Sequence, residues 1–179
     1  MKHILLVAAF ALPASAQMQH DAHPGDAAGM HQQKPAASLS TQLTVTAGAA
    51  PITLTLADLQ SLPQQTVTVH NAHTNADETY TGPLVSDVLA KAGLALSDKT
   101  EHPMLRMYLV AGGTDKYWVL YFAAEVQPGL HTAKVIVAIA KSSQPLGVNG
   151  QFQLLDNMDV KPARWVRNLN SLTIRTATE

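Results

Sequence analysis

Cysteine is absent from all 179 residues. Disulfide staples, thiolate nucleophiles and thiolate metal ligands are thereby excluded, and stability has to come from a packed core. An excess of positive charge is missing too. The chain carries 12 Lys+Arg against 13 Asp+Glu, a formal net charge of −1, which leaves no electrostatic footprint for nucleic acid. Long apolar runs are equally scarce: the main one, Ile4 to Leu12, is far shorter than the ~20 residues that span a bilayer. It follows Lys2 and His3 and precedes Pro13-Ala14-Ser15-Ala16. Residues 1–16 therefore read as a secretory signal peptide cut after Ala16, and the mature chain is expected in the periplasm or outside the cell, with no membrane span left. No Ser-His-Asp arrangement, glycine-rich phosphate loop or paired-carboxylate motif stands out, so hydrolase chemistry has no support.

Residues 17–40, "QMQHDAHPGDAAGMHQQKPAASLS", lack Val, Ile, Phe, Tyr and Trp. They cannot bury enough apolar surface to offset the entropy of ordering, and read as a disordered tail. The segment concentrates Met18, His20, His23, Met30 and His31. Thioether and imidazole together suit copper better than calcium or magnesium. The other reading is a polar linker that happens to carry histidines, because no fixed spacing enforces a coordination geometry.

From Thr41 to Glu179 the composition is that of one domain with its own core. "QLTVTA" and "PITLTL" alternate polar and apolar residues as half-buried strands do. "LADLQSLP" places Leu56, Leu59 and Leu62 on one face of a short helix, with Thr55 as its N-cap and Pro63 as its stop. "TVTVH" and "ETYTG" flank a turn rich in Asn and Asp and read as a hairpin. "PLVSDVLAKAG" carries a helical stripe closed by Gly93. "MLRMYLVAGG" and "KYWVLYFA", apolar on both faces, read as central strands. "AKVIVAIA", "FQLLD" and "SLTIRT" supply further strands, and "ARWVRNL" a helical turn. Strands with two or three short helices predict an α+β fold with mixed or antiparallel sheets.

The order "LTVTAGAAPITLTLADLQSLPQQTVTV", "YTGPLVSDVLAKAGL", "MYLVAGGTDKYWVLYFAAEV" and "PLGVNGQFQLLDNMDVKPARWVRNLNSLTI" resembles the molybdopterin-binding domain of sulfite-oxidase-type oxidoreductases, over nearly all of Leu43 to Ile174. The resemblance implies a compact α+β fold with mixed sheets, a molybdenum–pterin cofactor, oxygen-atom transfer on small oxo-compounds and an electron partner. In catalytic relatives a cysteine thiolate ligates molybdenum just after the strand matching "TVTV"; here His70 falls near that position. Imidazole is neutral and harder than a thiolate, so the resemblance implies altered metal ligation at His70, with His73 three residues on. The residues themselves also allow His70 to be a strand-end side chain meeting backbone or solvent, and His73 a loop histidine.

Relatives hold the pterin phosphate near the segment matching "DVKPARWVRNL", which makes Lys161, Arg164 and Arg167 the carried-over candidates. Asp156 and Asp159 lie just upstream, and a basic turn paired with those acids is the alternative. Trp165 is expected in the core, with both arginines exposed. "GGTDKYW" resembles the family's Asp-Gly-Tyr strand with Lys116 where glycine is usual; Asp115 and Tyr117 either line a cleft or, for Tyr117, join Val119 and Tyr121 in one packed sheet face. The competing function is a cofactor-free module that binds a small ligand in the cleft or copper on the tail.

Overall fold

The computed structural model describes residues 38–96 and 101–178. The expected signal peptide, residues 1–16, and the tail residues Met18, His20, His23, Met30 and His31 lie outside them. The order is β1 (Leu43–Thr46), β2 (Ile52–Leu54), α1 (Leu56–Gln60), β3 (Gln64–Asn71), β4 (Ala76–Pro83), α2 (Val85–Lys91), α3 (Glu101–Met104), β5 (Met107–Gly113), β6 (Trp118–Phe122), β7 (Val135–Ala138), β8 (Ala140–Lys141), β9 (Gln153–Asp156) and β10 (Leu169–Thr176). The α+β expectation is met: a five-stranded sheet ordered β2-β1-β10-β5-β6, a three-stranded sheet β3-β4-β8 and a ribbon β7-β9. β1 runs parallel to β10, and every other pairing in the large sheet is antiparallel. No described helix is long and apolar enough to cross a membrane.

Local chemistry explains the elements. Thr55 caps α1 through a reciprocal box, its hydroxyl accepting from the Asp58 N–H at 3.3 Å while the Asp58 carboxylate accepts from the Thr55 N–H at 2.9 Å. α2 ends at Gly93, whose φ of 92° lets the Leu94 N–H fold back onto the Leu89 carbonyl. Gly82 serves a different need: a Cβ there would collide with the Val137 backbone, so only glycine lets β4 lie against β7.

The ribbon β7-β9 is buried on both faces and separates two apolar clusters. Val135, Val137 and Leu154 face the larger one, with Leu43, Val45, Val88, Leu109, Tyr121 and Leu172. Ile136, Ala138 and Leu155 face the smaller one, with Val67, Val69, Tyr80 and Trp165. Period-two alternation puts successive residues of one strand into different cores.

Three expectations need correction. β6 is the last strand in the sheet order rather than a central one, and its outward residues Trp118, Leu120 and Phe122 are exposed; aromatic residues on both faces mimic a central strand in sequence. The segment "ARWVRNL" forms only a 3-10 turn over Pro162–Arg164 before extending. The domain also begins before Thr41: the Ser38 carbonyl accepts from the Thr114 hydroxyl at 2.6 Å, and the buried Ser40 donates its N–H to Asn168 Oδ1 at 3.1 Å.

Candidate functional site

Three loops converge on one cavity of about 240 Å³: His73 from the β3–β4 turn, Asp115 and Tyr117 from the β5–β6 turn, and Pro162, Ala163, Trp165 and Arg167 from the chain between β9 and β10. Each comes from a segment that the sequence singles out. The side chains contribute a guanidinium, an imidazole, a phenol, a carboxylate and an indole wall, a donor set suited to a small polar ligand with negative charge.

The β5–β6 turn is built by Lys116, whose φ of 69° lies in the left-handed region that favours glycine. Lys116 stands where the Asp-Gly-Tyr pattern has glycine and adopts the left-handed backbone that glycine favours. Asp115 accepts the Tyr117 N–H at 2.9 Å, and the Tyr117 hydroxyl donates to the Ala163 carbonyl, closing one loop onto another. Tyr117 thus stays out of the packed face formed by Val119 and Tyr121.

Behind the cavity lies a buried carboxylate that sequence reasoning passed over. Glu78 is 6% exposed and accepts from Lys141 Nζ at 2.7 Å, from the Tyr80 hydroxyl at 2.7 Å and from Asn71 Nδ2 at 3.1 Å. Asn71 in turn uses its Oδ1 to accept the His73 N–H at 3.0 Å, fixing the turn that presents the imidazole. The Tyr80 ring packs edge-on against Trp165 with centroids 5.8 Å apart. One carboxylate therefore braces two walls of the cavity. Its signal in the sequence was present: Glu78, Tyr80 and Gly82 alternate along β4 on the buried side.

Burial opposes ionisation of Glu78, but the hydrogen bonds and charge of Lys141, with Tyr80 and Asn71, outweigh it and bring its pKa from 4.5 down to about 2. Burial, with Glu78 beside it, raises the Tyr80 phenol well above its usual range. A depressed carboxylate pKa contributes stability that is complete above pH 4.5 and disappears as pH falls toward 2. Glu78→Gln is expected to lose on the order of 2–3 kcal/mol at neutral pH. Chemical denaturation across pH should show the gap between wild type and Glu78→Gln closing between pH 4.5 and 2.

Among the described residues, the remaining sequence candidates His70, Lys161 and Arg164 do not join the cavity lining. His70 lies directly opposite Asp77 in the β3–β4 register, and its Nδ1 meets Asp77 Oδ1 at 2.9 Å on the exposed side of the hairpin. Its neighbour in sequence, His73, is the one that reaches the cavity. Among the described residues no group of three or more His, Asp or Glu side chains is placed to hold a metal ion. Lys161 is exposed and outside the lining.

Arg164 turns elsewhere. Its guanidinium donates to Asp159 at 2.6 Å, Glu125 at 3.0 Å and Asp156 at 3.2 Å, and stacks over the Tyr121 ring at 4.2 Å. This matches the alternative of a basic residue paired with the upstream acids, and makes Arg164 a clamp joining β9, the loop after it and the turn over Ala123–Val126. Burial pushes the Asp156 carboxyl upward despite the arginine. Arg167 makes no ion pair among the described residues and is the cation that lines the cavity.

Set beside the molybdenum–pterin that the sequence resemblance implies, the lining differs in three respects. No thiolate exists to ligate the metal, the single lining cation shares the cavity with Asp115, and the volume lies below the roughly 300–1,000 Å³ of pockets that engulf a molecule of drug size.

The crystal structure of the sulfane dehydrogenase SoxCD from Paracoccus pantotrophus superposes on this chain with a TM-score of 0.60 and 19% sequence identity, covering 78% of this chain and 40% of that one. The likeness shows a distant relationship in fold, and the α+β architecture here is compatible with the sulfite-oxidase-like fold of that neighbour. This chain spans well under half of the SoxCD chain it matches. No protein-family model and no curated protein matches it.

Proposed function

We propose that this chain is an exported, non-catalytic binding module on the sulfite-oxidase-type fold, holding a small anion between His73, Tyr117, Trp165 and Arg167. The observation that carries the reading is the division of labour between the two arginines. Arg164 is consumed by three carboxylates, whereas Arg167 keeps its donors for the cavity. Trp165 adds an apolar indole wall to the cavity, which shields a small ligand beside the guanidinium from water. Asp115 favours an anion that also carries a donor, such as a hydroxycarboxylate or a protonated oxoanion.

The likeness to SoxCD supports a second reading, in which the cavity holds a molybdopterin. The two are separated by analysing protein purified from its own host. Sub-stoichiometric molybdenum and pterin, with a thermal upshift by sulfate, phosphate or short hydroxycarboxylates, supports the module; about one molybdenum and one pterin per chain overturns it.

A further inference from the structure

The chain after β9 returns alongside it, and the two are tied by one antiparallel bridge. The Leu154 N–H donates to the Val166 carbonyl at 2.9 Å, and the Val166 N–H to the Leu154 carbonyl at 3.0 Å. Both of these side chains face the larger core. One step along, Leu155 and Trp165 face the smaller core together. Two steps along, Asp156 falls opposite Arg164 and accepts from its guanidinium at 3.2 Å, so the register extends beyond the bridge. On the other side of the bridge the same alternation sets Gln153 opposite Arg167, on the face that carries Trp165, with Cβ atoms roughly 5 Å apart. Arg167 is exposed and lines the cavity, whereas Gln153 beside it is fully buried.

The burial of Gln153 has no local compensation. Its Oε1 and its Nε2 both lack a hydrogen-bond partner, and an amide buried without partners costs free energy that methionine or leucine in its place would not. Its surroundings are polar all the same. The Tyr80 phenol, raised by burial and by Glu78, is drawn back by the Gln153 amide and by the charge of Arg167, so the polar ends of these side chains lie close together. β9 therefore sets a buried polar side chain opposite each arginine. Asp156, a carboxylate, already holds Arg164; Gln153, a neutral amide, holds nothing.

We propose that Gln153 is a positioning residue of the anion cavity: its Oε1 accepts the Arg167 Nε–H when an anion is captured, drawing the guanidinium in from solvent and over the ligand. The inference rests on the anion-binding reading given above. A neutral acceptor suits the task. A carboxylate at this position would compensate Arg167 and compete with the anion, as Asp156, Asp159 and Glu125 do at Arg164. An amide orients the guanidinium fork and leaves its charge for the ligand. The cost of the unpartnered amide in the free protein is then recovered on binding, when its partner arrives with the ligand.

Removing the amide should leave stability intact or improved while weakening affinity, a split that a merely structural residue does not produce. Calorimetric titration of the wild type with sulfate, inorganic phosphate and glycolate identifies the tightest probe. Gln153→Met should bind that probe about 3- to 10-fold more weakly, the worth of one hydrogen bond, with a ligand-free Tm unchanged or raised. In an Arg167→Ala background, Gln153→Met should cost no further affinity, because the two residues act as a unit. A measurement on the wild type needs no variant: an NMR cross-peak between the Arg167 Nε–H and the Gln153 side-chain amide protons should appear on saturation with the probe. Equal affinity of wild type and Gln153→Met, additive losses in the double variant, or no cross-peak at saturation overturns the role of Gln153 and leaves the anion site standing. A lowered Tm for Gln153→Met shows an amide already bonded in the free protein and overturns it equally. A wild type that binds none of the three probes overturns the anion reading, and this inference with it.

Discussion

Arg164→Ala should unfold this domain at markedly lower temperature, with a loss of about 2–4 kcal/mol and a fall in Tm of roughly 5–15 °C. The reason is the imbalance it leaves. Asp156, Asp159 and Glu125 converge on one guanidinium, and Asp156 is only 1% exposed. Removing the cation strands a carboxylate whose ionisation burial already disfavours. The upper part of the usual range for a broken buried pair is discounted here because the arginine side chain is 34% exposed and solvent screens part of its interaction. Arg164→Lys should recover only part of the loss, since an ammonium cannot make the forked contacts to three acids or stack over Tyr121. Differential scanning calorimetry of the three proteins at neutral pH checks this. A change in Tm of less than a degree for Arg164→Ala would show that the acids find water instead.

The second large effect lies in binding. Arg167→Ala should weaken capture of a small anion by about 10- to 100-fold, the worth of a charge-assisted hydrogen bond in a partly screened cavity. Its effect on Tm without ligand should be slight, because the residue is exposed and makes no ion pair among the described residues. The two arginines thus have opposite signatures: one governs stability and the other affinity. Calorimetric titration with the anion that gives the largest thermal upshift, on wild type, Arg167→Ala and Arg167→Lys, distinguishes them. Equal affinities in all three would remove Arg167 from the site.

Much of the fold could be read from the chain because its signals are local. The Thr55 capping box, the stripe closed by Gly93 and the alternation in "TVTV" are each set by residues a few positions apart. What escaped was set by distant partners. "KYWVLYFA" reads as central because both faces are apolar, and only the fold shows that the strand lies at the edge with one face exposed. His70 and His73 are equivalent in composition, yet the β3–β4 register commits His70 to Asp77 and leaves His73 at the turn that meets the cavity. Among the basic residues, the choice between Arg164 and Arg167 depended on where a 3-10 turn ends. The cavity itself was legible as three separate segments, and its brace at Glu78 only as an alternation with no stated purpose.

The chain has two tryptophans, and they report on different surfaces: Trp165 lines the cavity and Trp118 lies on the edge strand. Their two indole N–H resonances, followed by NMR while a small anion is titrated, address the central claim in one experiment. A saturable shift of the Trp165 resonance, with Trp118 unmoved and the response lost in Arg167→Ala, is the predicted result. A Trp165 resonance that stays fixed at saturating anion, or moves identically in Arg167→Ala, would contradict it.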